Sequence, residues 1–160
     1  MGKESKKITW RMKIIVDTNI VFSGILNSDG KIGELLIKSK DYFEFYSLDQ
    51  LKDELTDHKD KILQISNFSD EEFIEAKELA TSKIRFIRDS IIHKNDFIEA
   101  ERLLADIDPD DTAFLALALN LNGKLWTGDL KLIRGLNNMD IYQTLTTSEL
   151  YEIYLRKELE

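Results

Sequence analysis

Six acidic residues stand where acids can do chemistry. Asp17 closes Lys13-Ile14-Ile15-Val16, and Asp129 follows Leu125-Trp126-Thr127 after a single glycine. Asp108, Asp110 and Asp111 crowd the start of an alanine- and leucine-rich run, and Glu54 sits beside Leu51 and Leu55. Taken singly, each has an ordinary structural role: Asp17, Asp129 and Asp108 as helix caps, Glu54 as a surface acid. Taken together, they ask for more. If the strands that end at Asp17 and Asp129 are neighbours, the two carboxylates lie close enough to raise each other's pKa or destabilise each other. A divalent cation relieves that repulsion, and an all-oxygen donor set suits Mg²⁺ or Mn²⁺.

Other chemistries find little support. Cysteine is absent, which removes disulfides, thiolate zinc, iron–sulfur clusters and a cysteine nucleophile. His58 and His93 lack zinc-site spacing and are expected to be surface or satisfied histidines. Neither a Gly-rich phosphate loop nor a Gly-x-Ser-x-Gly elbow occurs.

The elements that must position the acids follow from periodicity and stop signals. Lys13 to Val16 reads as a buried strand capped into a short helix, Ile20 to Leu26, which ends in Asn27-Ser28-Asp29-Gly30. Ile32, Leu35, Leu36 and Ser39 have helical spacing. Tyr42 to Leu48 reads as a second strand, with Tyr42, Phe43, Phe45 and Tyr46 expected in the core. From Asp49 a helix puts Leu51, Leu55 and Ile62 on one face. Ser69 with Glu72 is a capping-box pattern, and Phe73, Ala76, Ala80, Ile84 and Ile87 extend the helix it opens. Ser90-Ile91-Ile92 is a candidate third strand, and Asp96 to Leu104 a helix. Asp108-Pro109-Asp110-Asp111 places aspartate at the cap, proline at the first helical position and acids behind it, opening a buried helix that stops at Asn122-Gly123. Lys124 to Thr127 is a strand, Leu130 to Leu136 a helix and Ile141 to Leu145 the last strand. Thr147-Ser148-Glu149 opens the terminal helix, whose Leu150, Tyr151, Tyr154 and Leu155 are expected to pack on the sheet. Strands alternating with helices predict an α/β fold with a mainly parallel sheet.

Length and composition agree. At 160 residues, the chain fits one domain. The longest unbroken apolar run, Ala113 to Leu119, has seven residues, whereas a membrane-spanning helix needs about 20. No membrane association is expected, no signal peptide is read, and the expected location is cytoplasmic. The net charge of −8 argues against broad electrostatic binding of nucleic acid, but not against a site whose charge a metal supplies. Residues 1–13 carry five cations against Glu4, so residues 1–11 read as a basic, flexible tail and 12–160 as a single domain.

Val16-Asp17-Thr18-Asn19-Ile20, Glu54, Asp108-Pro109-Asp110-Asp111 with its alanine/leucine helix, and Thr127-Gly128-Asp129 together resemble the PIN-domain family. The resemblance spans the chain from about Met12 onward. It implies a three-layer α/β/α sandwich around a central, mainly parallel sheet and a metal-dependent endoribonuclease. It also implies a catalytic set of Asp17, Glu54, Asp111 and Asp129, with Mg²⁺ or Mn²⁺ held by Asp17, Asp111 and Asp129. Asn19, Asp108 and Thr127 match supporting positions, and Asp53 and Asp57 are alternatives to Glu54. Small members are commonly toxins of toxin–antitoxin pairs. The implied partners are therefore an RNA substrate, an antitoxin protein and a second copy of the chain.

Two other functions compete. A catalytically silent PIN-like interaction module would not keep the acids. A haloacid-dehalogenase-type phosphatase wants Asp-x-Asp near the start, where this chain has Asn19.

Overall fold

The computed structural model describes residues 10–160. Strand β1 (Met12–Val16) leads into helices α1 (Thr18–Leu26) and α2 (Lys31–Lys38), and strand β2 (Phe43–Leu48) follows. Helices α3 (Gln50–Asp57), α4 (Lys59–Ser66) and α5 (Asp70–Thr81) precede strand β3 (Ile84–Ile87). Helices α6 (Lys94–Leu104) and α7 (Thr112–Leu121) come before strand β4 (Lys124–Trp126). Helix α8 (Leu130–Asn138), strand β5 (Thr144–Leu145) and helix α9 (Thr147–Glu158) complete the chain.

All five strands are parallel, in the order β3-β2-β1-β4-β5. The strand alternation sorts the core into two layers. Ile14, Val16, Phe43, Phe45 and Trp126 point to one face, where α1 to α5 and α9 pack. Ile15, Tyr46, Leu48 and Leu125 point to the other, against α6, α7 and α8. This is the expected three-layer α/β/α sandwich, and the four aromatics of residues 42–46 lie in or against its core. Leu150 and Tyr154 anchor α9 on the sheet side, while Leu155 is exposed.

β1 and β4 are direct neighbours, which meets the condition set by Asp17 and Asp129. Their close approach depends on Gly123. A Cβ there would lie 2.7 Å from the Lys13 carbonyl oxygen and 2.8 Å from Ile15 Cδ1. Asn122 supplies the left-handed turn (φ 57°) that ends α7 and delivers the chain to β4.

Several local expectations change. The helix opened by Ser69 stops at Thr81, and Ile84–Ile87 is strand β3. Lys83-Ile84-Arg85-Phe86 alternates charged and apolar residues, and pairing with β2 outweighs the accidental helical spacing. Ser90-Ile91-Ile92 is not a strand: Asp89–Ile91 is a 3₁₀ turn, with Ile91 exposed. The helix from Asp49 breaks at His58 into α3 and α4. Pro109–Asp111 is a separate 3₁₀ turn, so α7 begins only at Thr112. The last strand shrinks to Thr144–Leu145, because the Ile141 N–H is spent on the Leu136 carbonyl at the end of α8.

Of the tail expected over residues 1–11, residues 1–9 lie outside the described residues. Arg11 donates to the Lys40 carbonyl at 3.0 Å and to Glu44 at 3.1 Å. Among the described residues, no helix is long and apolar enough to cross a membrane.

Candidate metal centre

The carboxyl ends of β1 and β4 meet in the middle of the sheet, where an open parallel sheet presents its ligand site. Asp17 leaves β1 there and is buried. One of its oxygens, Oδ1, accepts the Ile20 N–H at 2.9 Å and caps α1. The Asp17 N–H reaches the Trp126 carbonyl at 3.4 Å, which ties it to β4. Asp129 caps α8 in the same way, with Oδ1 accepting the Leu132 N–H at 3.2 Å. The capping and site roles are therefore compatible: each cap occupies a single carboxylate oxygen.

Thr127 joins the two aspartates. Its fully buried hydroxyl accepts the Asp129 N–H at 3.1 Å and faces the Asp17 carboxylate, whose pKa it lowers. Asp108 and Asp111 enter from the layer of α6, α7 and α8, across the sheet from α1. The 3₁₀ turn between them is closed by the Asp111 N–H on the Asp108 carbonyl at 3.2 Å. Asp108 makes no side-chain capping bond, contrary to the cap expected of it. That carboxylate turns toward its acidic neighbours instead: Asp108, Asp111 and Asp129 each place an oxygen within 4.8 Å of the others.

The electrostatics record the crowding. Asp111 is pushed up to about 7 by burial first and then by the charges of Asp108, Asp17 and Asp129. Asp108 is raised chiefly through its hydrogen bond with Asp129. Burial raises Asp17, with Asp129 adding to it against the lowering hydrogen bonds from Thr127 and the Ile20 N–H. The N-termini of α1, α7 and α8 converge on the cluster, and their partial positive charges offset part of the repulsion. Oxygen donors at this spacing, each disfavoured as a bare anion by its neighbours, fit a hard divalent cation.

Glu54 comes to the rim from α3, half-buried, and its Oε2 accepts the Thr18 hydroxyl at 2.5 Å. The alternatives Asp53 and Asp57 are exposed. Asn19 is exposed on the first turn of α1; its backbone N–H faces Asp17, and its side chain makes no hydrogen bond to the acids among the described residues. His58 packs on Phe22 with Nδ1 2.8 Å from the Glu54 carbonyl oxygen, and His93 caps α6.

Two positioning residues escaped sequence analysis. Thr18 holds Glu54, and its only signal was its place directly after Asp17. Ser47 is buried and donates to the Val16 carbonyl at 2.7 Å, fixing the backbone just before Asp17. A small polar residue within an aromatic strand was its signal.

The model of one protein family, described as PIN domain, matches residues 15–154. No curated protein matches the chain.

Proposed function

The chain belongs to the PIN-domain family, and on that premise we propose that it is a divalent-metal-dependent endoribonuclease acting as the toxin of a toxin–antitoxin pair. The observation that carries the catalytic part is the grouping of Asp108, Asp111 and Asp129 within 4.8 Å, beside buried Asp17, at the carboxyl ends of adjacent strands. Such a grouping is costly to fold without a compensating charge.

Asp17, Asp111 and Asp129 would hold Mg²⁺ or Mn²⁺, and Asp108 has the position to join them. The bound ion would supply a more acidic water and neutralise charge on the phosphodiester. The chain's own residues do the rest. Thr127 fixes the turn that delivers Asp129, with its hydroxyl toward Asp17. Thr18 holds the Glu54 carboxylate at the rim, in place to orient a water or accept its proton. Until a cation binds, the acids repel the phosphate backbone, so RNA affinity should rise when metal is added. The toxin role rests on the family; an antitoxin protein and a second copy of the chain are the partners it implies.

The test is incubation of purified protein with a mixed RNA pool in Mn²⁺, Mg²⁺ or EDTA, beside a small phosphomonoester. Metal-dependent loss of RNA with the phosphomonoester intact supports the proposal. An intact pool in every condition, with a control nuclease active, counts against it.

A further inference from the structure

We propose that the open edge of β3 is a track that grips single-stranded RNA as it leads away from the acidic centre; this rests on the ribonuclease function proposed above. β3 is a terminal strand of the sheet, so one row of its backbone groups has no strand partner among the described residues. The strand carries Arg85 and is flanked by Lys83 and Arg88, which places three cations along six residues.

Two depressions flank the strand, and both are basic. One is lined by Lys52, Lys77 and Phe86, with Lys52 Nζ 4.6 Å from the Phe86 ring centroid. The other is lined by Arg11, Lys40, Lys83 and Arg85, with the Arg85 guanidinium 6.0 Å from the Tyr46 ring centroid. Acids stand among these cations: exposed Asp41, Asp53 and Glu78 are the chain neighbours of Lys40, Lys52 and Lys77. Glu44 pairs with Arg11, Asp49 lies 3.7 Å from Lys52 and 3.9 Å from Arg88, and Asp89 follows Arg88 in the chain. Lys40, Lys77, Lys83 and Arg85 have no ion-pair partner among the described residues.

In a chain of net charge −8, such a concentration attracts polyanions where most of the surface repels them. Arg88 leaves β3 at the carboxyl edge, the same edge that carries Asp17. At that edge two strand spacings, roughly 10 Å, separate β3 from β1, and from Arg88 the track runs along β3 to the amino edge of the sheet, where Arg11, Lys40 and Lys83 precede β1, β2 and β3. Charged residues on an edge strand also deter edge-to-edge pairing. That purpose does not call for Lys40, Lys52 and Lys77, which lie off the strand. An acidic peptide added as a sixth strand would likewise engage the strand alone. Cations on both flanks suit a phosphate backbone better.

The test compares wild type with Lys83→Glu/Arg85→Glu and, separately, Lys77→Glu. Arg134→Glu, exposed on α8 toward the opposite end of the sheet, serves as the charge control, and circular dichroism checks each fold. RNAs of about 16 and about 4 nucleotides serve as long and short probes. For the long RNA, the double variant should raise KM by about tenfold with kcat nearly unchanged, and the salt slope should fall by about 1 per lost phosphate contact. The short RNA and Mn²⁺ affinity should not change. An unaltered KM and salt slope, with wild type cleaving normally, overturns the track and leaves the nuclease standing; it would return the edge to a peptide or to aggregation control. Long-RNA binding that the double variant abolishes, without cleavage by wild type, keeps the track and overturns the nuclease. If wild type neither binds nor cleaves RNA, both fall.

Discussion

Thr18 Oγ1 lies 2.5 Å from Glu54 Oε2, and this bond ties the first turn of α1 to α3 across the rim of the acidic centre. Thr18→Val keeps the side-chain shape and removes the hydroxyl. Residues that orient a metal site's acids typically matter by about 10–100-fold, so RNA cleavage should fall about tenfold with the fold intact. Glu54→Gln should lower cleavage further, while Asp53→Asn on the exposed side of α3 should leave it unchanged. Equal cleavage by wild type and Glu54→Gln would remove Glu54 from the mechanism.

The raised acids predict how metal-free stability depends on pH. Asp111 titrates near 7 in the folded chain against 3.8 as the ordinary value. Between those values the folded state binds more protons than the unfolded state, so stability falls as pH rises. Thermal melts in EDTA should therefore show Tm dropping from about pH 4 to about pH 7 and levelling above. Mn²⁺ competes with protons for the same oxygens, so its stabilisation should grow over that window. Asp111→Asn should flatten the profile. A metal-free Tm that climbs through the window would contradict the crowding.

Gly123 sets the spacing of the two strands that carry Asp17 and Asp129. Alanine there would place a Cβ 2.7 Å from the Lys13 carbonyl oxygen. Overpacking of this kind costs about 1–3 kcal/mol, to be read from urea unfolding. The same variant should weaken Mn²⁺ binding, because β4 must shift against β1. Wild-type stability and metal affinity in Gly123→Ala would show that the contact is easily relieved.

Much of this was legible in the sequence because the acids lie next to strong local signals. Asp17 and Asp129 follow short apolar strands and cap the next helices, so their places at the sheet edge could be read directly. The pairing of β1 with β4 could only be posed as a condition, since register between distant strands has no local signature. Asp108 was obscured by its neighbours: before proline, with acids behind it, it reads as a helix cap, and only the fold turns it toward Asp129. The error at β3 has a different origin. Ile84 and Ile87 continue the spacing of α5, and the signal that a strand had begun was the alternation of Lys83 and Arg85 with Ile84 and Phe86. Thr18 and Ser47 act through tertiary hydrogen bonds, which no spacing rule reveals.

The central claim is that these carboxylates hold a divalent cation needed for RNA cleavage. The most direct measurement is RNA cleavage against Mn²⁺ concentration for wild type and Asp129→Asn, both shown folded by circular dichroism. Cleavage that is absent in EDTA, saturates with Mn²⁺ in wild type and is lost in Asp129→Asn is the predicted result. Cleavage in EDTA, or equal cleavage by the folded variant, would contradict it.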